Sequence, residues 1–142
     1  MSAILARRYF VRGRDEMGRG EYDAAVESFR AAVDLAPSFV SGRLGYAAAL
    51  VRVGDMPRAA QALRAGLPRA TSDGARAKLL IYLGDVLTAA GDFFGAEDAY
   101  RQSAELVPDS GAPPAGLARV HAKLGRYADA FASLLAASRA GR

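Results

Sequence analysis

Cysteine is absent from the 142-residue chain. That excludes disulfides, thiol catalysis, cysteine-held metals and a lipid-modified N-terminal cysteine. Histidine occurs once, at His121, which leaves no second imidazole for a metal pair and no companion for a nucleophilic triad. Lysine is nearly as scarce: Lys78 and Lys123 stand against 17 arginines. That bias, with the abundance of alanine, reads as genomic composition rather than function. The basic residues form neither the run nor the dense stripe of a nucleic-acid binder. Long apolar runs are missing too, since Leu79 to Leu83 is the longest strongly apolar stretch and a membrane span needs about 18 residues. Arg7 and Arg8 fall where a secretory leader would be apolar. No membrane span, no nucleic-acid partner and a cytoplasmic location are expected.

What is present is a core-forming composition, 51% hydrophobic and 24% charged, which argues against disorder. A skeleton of glycine, a charged residue, a large apolar residue, an alanine three on and a large residue four further recurs through it. The instances are Gly20-Glu21-Tyr22 with Ala25 and Phe29, and Gly54-Asp55-Met56 with Ala59 and Leu63. The others are Gly91-Asp92-Phe93 with Ala96 and Tyr100, and Gly125-Arg126-Tyr127 with Ala130 and Leu134. The glycines are 34, 37 and 34 residues apart, the period of stacked helical repeats. Apolar residues at 3-to-4 spacing predict a first helix over 3–19 and a second from Tyr22 until Pro37 stops it. A third, capped by Ser38, runs to about Val53, and a fourth covers Met56 to Leu67. After a loop from Pro68 to Gly74, Ser72 or Asp73 caps a fifth helix that Gly91 breaks. Phe93 to Val107, Ala115 to Leu124 and Tyr127 to Ala140 complete the set. No segment alternates with strand period, so the chain reads as all-α.

This pattern resembles the tetratricopeptide repeat, a 34-residue helix–turn–helix unit. The third repeat carries it best, through Leu80, Leu83, Gly84, Leu87, Gly91, Phe93, Ala96, Tyr100, Ser103 and Pro108. The resemblance implies a right-handed α-solenoid, a single domain over 1–142, with repeats at about 6–39, 40–76, 77–110 and 111–142. Small residues (Ala25, Ala59, Ala96 and Ala130) would let the paired helices approach, and Tyr22, Met56, Phe93 and Tyr127 would fill the gap to neighbours. Arg12 and Glu16 depart from the pattern, standing at normally apolar positions, and Thr71 stands where a proline is usual.

No chemistry announces itself. His121 is expected to be a packed structural histidine. None of Ser28, Ser41, Ser103, Ser133 and Ser138 sits in a nucleophile elbow. Glu97 and Asp98 are adjacent on a helix and are expected on a solvated face. The glycines keep repeat spacing rather than forming a phosphate loop. No catalysis, cofactor or metal is expected.

Charge says more. The four first helices carry +3, +2, +1 and +2, and the second helices −3, +1, −3 and +1. By the resemblance, first helices line a concave groove and second helices form the back, so the groove would be basic and the back acidic on average. Its lining would be Arg7, Phe10, Arg14, Met17, Leu44, Ala48, Val51, Lys78, Ile81, Tyr82, Asp85 and Arg119. Such a groove suits a protein or peptide with acidic and apolar side chains, since arginine grips carboxylates through two parallel bonds. The carboxylate clamp that some members use on chaperone tails is not expected: Lys78 fits it, but Phe10, Arg14, Gly45 and Tyr82 occupy its other places. Phe131, Leu134 and Leu135 on the last helix would be partly exposed, which suggests self-association as a homo-oligomeric scaffold as the alternative to a groove-binding adaptor.

Overall fold

The computed structural model describes residues 2–140 and contains helices only. In order they are α1 (Ser2–Gly18), α2 (Tyr22–Leu35), α3 (Val40–Arg52), α4 (Met56–Gly66), α5 (Asp73–Ala90), α6 (Phe93–Leu106), α7 (Ala112–Lys123) and α8 (Tyr127–Ala140). Each skeleton glycine makes the turn between the two helices of its repeat. Gly91, at φ 85°, takes the left-handed conformation, and the Asp92 N–H then reaches back to the Leu87 carbonyl at 2.8 Å. Asp92 also caps the next helix, accepting from the Gly95 N–H at 3.0 Å, and Asp55 does the same for Arg58 at 3.2 Å. At Gly54-Asp55 and Gly91-Asp92, glycine followed by aspartate therefore ends one helix and caps the next, whereas Glu21 after Gly20 makes no side-chain cap.

Two expected details differ, at Ser38 and at the start of α7, and one open alternative is settled, at Ser72. Ser38 does not cap α3; Phe39 holds that position without a side-chain cap, its ring packed edge-on against Phe10 at 5.1 Å. Apolar packing outweighs one capping bond there. Ser72, rather than Asp73, caps α5, accepting from the Ala75 N–H at 3.1 Å. Helix α7 begins at Ala112, because Pro113 and Pro114 fall in the first turn, where no N–H is required. The loop after α4 opens with a 3-10 turn, Leu67–Arg69.

The chain forms two compact units, Met1–Thr71 and Ser72–Arg142. In the first, α1 packs on α2, α2 on α3 and α3 on α4, while α1 also meets α3. Phe29 is the centre. A Cβ placed on Gly13 of α1 would come within 2.9 Å of its ring, and one on Gly45 of α3 within 2.6 Å. In the second unit α5 to α8 pack in the same sequence, with α5 meeting α7, around Tyr100. There a Cβ on Gly84 or Gly116 would meet the Tyr100 ring at 2.5 Å. Each member of one trio lies 71 positions from its counterpart in the other. Both cores therefore seat one aromatic ring between two helices that only glycine lets close.

The paired-helix alanines Ala25, Ala59, Ala96 and Ala130 are all buried. Tyr22, Met56 and Phe93 are half-buried as expected. Tyr127 is not: it is 72% exposed. Arg52, at the end of α3, stacks on Tyr22 at 5.3 Å, and no described residue follows α8 to cover Tyr127 likewise.

Candidate functional site

The residues expected to bind a partner fall on stripes of the first helices. In the first unit Arg7, Phe10, Arg14 and Met17 recur at three-to-four spacing on α1, and Leu44, Ala48 and Val51 on α3. Arg7 and Arg14 are exposed, and the others half-buried. Phe10 is partly structural. Its ring lies 5.8 Å from Phe29 and 5.1 Å from Phe39, and the Arg14 guanidinium covers it at 5.4 Å. Among the described residues neither Arg7 nor Arg14 has an ion-pair partner. Two cations are thus presented beside apolar surface.

In the second unit Lys78, Ile81, Tyr82 and Asp85 share one stripe of α5. Packing of α7 on α5 brings Arg119 to Asp85, Nη2 to Oδ1 at 3.4 Å. Asp85 also accepts from the Tyr100 hydroxyl. Burial first, and then the Asp85 carboxylate, push the Tyr100 phenol up to about 12. The one acid of the set is thereby engaged by two donors. Lys78 keeps its charge without an ion-pair partner among the described residues, beside the exposed Tyr82 ring and the half-buried Ile81.

Polar residues outside this set give the largest departure from expectation. Glu97 is not solvated; it is 7% exposed, while its neighbour Asp98 faces water. Arg126 donates to it at 2.6 Å, Arg101 pairs with its other oxygen at 3.2 Å, and His121 Nε2 lies 2.8 Å away. His121 is packed as expected, with Nδ1 buried and without a hydrogen-bond partner among the described residues. A carboxylate held by three donors in a closed core ties α6 to α7 and to the residue before α8; no nucleophile completes it. Glu16, at its apolar register, is buried likewise, accepting from Ser28 and pairing with Arg12 at 3.8 Å.

The sequence also hid Arg43. It is buried in the first unit, donating from Nε to the Pro37 carbonyl at 3.0 Å and from Nη1 to the Ala62 carbonyl at 3.2 Å. It floors a cleft of about 460 Å³ lined by Arg30, Arg58 and Arg69. Helix α2, whose residues 21–36 carry −3, forms one wall of it. A charge sum taken over a whole helix averages away the face that matters.

On the α8 surface Tyr127, Phe131, Leu134 and Leu135 fall at successive turns of one stripe. Phe131 is 64% and Leu134 55% exposed, with Leu135 also open.

The tetratricopeptide repeat family matches residues 10–75. No protein of curated function matches the chain. Among solved structures, that of MamA is similar over 96% of this chain and 78% of its own, at 18% identity and a TM-score of 0.81. PilF of Pseudomonas aeruginosa is similar over 98% of this chain and 62% of its own, at 18% identity and a TM-score of 0.80. The first repeat domain of Spaghetti (RPAP3), solved bound to the HSP90 peptide SRMEEVD, is similar over 87% and 95%, at 19% identity and a TM-score of 0.74. At these identities the likeness is one of fold, and the fold class is the all-α helical repeat.

Proposed function

The chain is a tetratricopeptide repeat protein, and from that premise we propose that it is a non-catalytic adaptor of the cytoplasm. Its repeats take a peptide or protein segment with acidic and apolar side chains on the face of their first helices. The observation that carries this reading is the pairing of unneutralised cations with open apolar surface on those helices. Arg14 stands on Phe10 in the first unit, and Lys78 beside Ile81 and Tyr82 in the second. A partner carboxylate gains a charge-assisted bond there while its apolar neighbours bury against the helix. The face is preorganised, so the partner bears most of the ordering cost.

An array of synthetic peptides, acidic–apolar against basic–apolar and acidic–polar, tests it. Acidic–apolar peptides are expected to bind best, and Arg14→Glu or Lys78→Glu to weaken them by about tenfold or more, as loss of a charge-assisted bond implies. Equal binding of all three classes, or indifference to both reversals, refutes the reading.

The α8 stripe favours a second reading, a homo-oligomeric scaffold. Exposed apolar side chains on successive turns make a coherent patch, and such patches mark association sites. Light scattering behind size-exclusion chromatography decides it. A dimer or larger species that Phe131→Ser with Leu134→Ser converts to monomer supports self-association; a concentration-independent monomer removes it.

A further inference from the structure

Aligning the repeats on their turn glycines isolates one misfit. Eleven residues before the glycine stand Tyr9, Arg43, Leu80 and Pro114. Three repeats place an apolar or aromatic group there; the second places a guanidinium. Arg43 is nonetheless only 7% exposed. Its two hydrogen bonds go to carbonyls, which satisfy donors without cancelling charge. A buried cation lacking a counter-ion is costly, and a fold that optimised stability alone would keep leucine at this register.

The surroundings deepen the misfit. Helices α2 and α4 both pack on α3 and not on each other, which leaves the cleft of about 460 Å³ above Arg43. Of its other arginines, Arg30 and Arg58 have acids on their own helices, Glu27 at 3.9 Å and Asp55 at 3.6 Å. Arg58 also donates to the Tyr46 hydroxyl at 3.1 Å. Arg69 has no ion pair among the described residues. After burial, the charge of Arg69 is the next influence lowering the Arg43 pKa, opposed in part by Asp34, the one acid lining the cleft. The fold thus holds two like charges at one concavity and leaves them short of negative charge.

We propose that this cleft is a binding site for a small-molecule oxyanion, separate from the first-helix face. A phosphate or carboxylate group is what a guanidinium fork takes through two parallel bonds. The exposed Arg69 offers such a fork, and Arg43, whose Nε and Nη1 are held by carbonyls, adds its charge and its remaining Nη2 donors from below. The volume lies within the range of small-ligand sites, about 300–1,000 Å³, rather than of a groove for a helix. The apolar wall of Val33 and Pro37 and the Tyr46 ring would take an organic body attached to the anion. The site does not depend on the peptide-binding reading, since none of its residues lies on the first-helix stripes.

The experiment is calorimetric titration and thermal unfolding of the full chain with pyrophosphate and, separately, citrate, against sodium chloride at matched ionic strength. One saturable site is expected, with a melting temperature that climbs with anion concentration beyond the chloride baseline. Arg69→Gln changes an exposed side chain and leaves the fold intact; it is expected to weaken binding by about tenfold or more. Lys123→Gln, in the other unit, is expected to change nothing. Binding of pyrophosphate alone assigns a phosphoryl ligand, and of citrate alone a carboxylate. No response above chloride, or binding equal in wild type and Arg69→Gln, overturns the proposal.

Discussion

Tyr100 does two jobs with one side chain. Its ring seats between Gly84 and Gly116, and its hydroxyl leaves that core to donate to Asp85, which Arg119 also engages. Phe29 fills the equivalent place in the first unit without a hydroxyl. The phenol's value of about 12 in the folded chain exceeds the unfolded value near 10. The protonated hydroxyl therefore stabilises the fold fully below about pH 10, and that contribution disappears as pH climbs through about 12. Tyr100→Phe has no such group to lose. The stability difference between wild type and this variant, from urea unfolding, is expected to shrink by about 2 kcal/mol across that window. Ultraviolet titration should show a late-ionising tyrosine that Tyr100→Phe removes. A constant difference, or six tyrosines titrating together, would mean that Asp85 and burial do not act on the phenol as the geometry requires.

Helix ends were largely legible, because they rest on local chemistry: a glycine that turns left-handed, an aspartate that caps, a proline in a first turn. What joins one helix to another was less so. Glu97 sits six residues after its glycine, where the other repeats carry Val26, Ala60 and Phe131, and His121 stands at the register of Leu50 and Leu87. Taken alone, Glu97 reads as a solvated carboxylate and His121 as a packed histidine, and only packing of α7 on α6 shows that the two satisfy one another. Adjacency of Glu97 and Asp98 suggested a solvated pair, but consecutive helix residues point about 100° apart, so one can be core and the other surface. Breaking a buried ion pair costs about 3–5 kcal/mol. Arg101 and Arg126 are partly exposed and can turn to water, so Glu97→Ala is expected to cost less, about 2–3 kcal/mol in thermal or urea unfolding. The double variant Glu97→Leu with His121→Leu should recover most of that loss, since leucine already serves at one of these registers. Additive losses would show that the two residues contribute separately, against the contact between them.

Across the whole molecule the dominant fact is a 71-residue duplication of a two-repeat unit, already implicit in glycine spacings of 34, 37 and 34. The duplication made the fold legible and also makes its exceptions measurable, because each residue of one unit has a counterpart under the same packing rules. Helix-wide charge sums conceal the oxyanion cleft, because its signal lies in one register across the repeats. Arg43 can be replaced by the residue that the third repeat uses there, giving Arg43→Leu. Two effects oppose. Leucine removes a buried charge, an exchange that is often neutral or stabilising by about 1–4 kcal/mol. It also strips a donor from the carbonyls of Pro37 and Ala62. Ala62 lies inside α4, where the helical ladder already offers a partner, and Pro37 borders a cleft that water can enter. The removed charge therefore weighs more. The unliganded variant is expected to be as stable as wild type or more so, by up to about 3 kcal/mol, and to melt at the same temperature with or without pyrophosphate. Thermal unfolding of both proteins, with and without the anion, checks the two halves together. A variant destabilised by more than about 1 kcal/mol would make Arg43 a structural residue held by its carbonyl bonds, and stability rather than binding would then explain its place in the core.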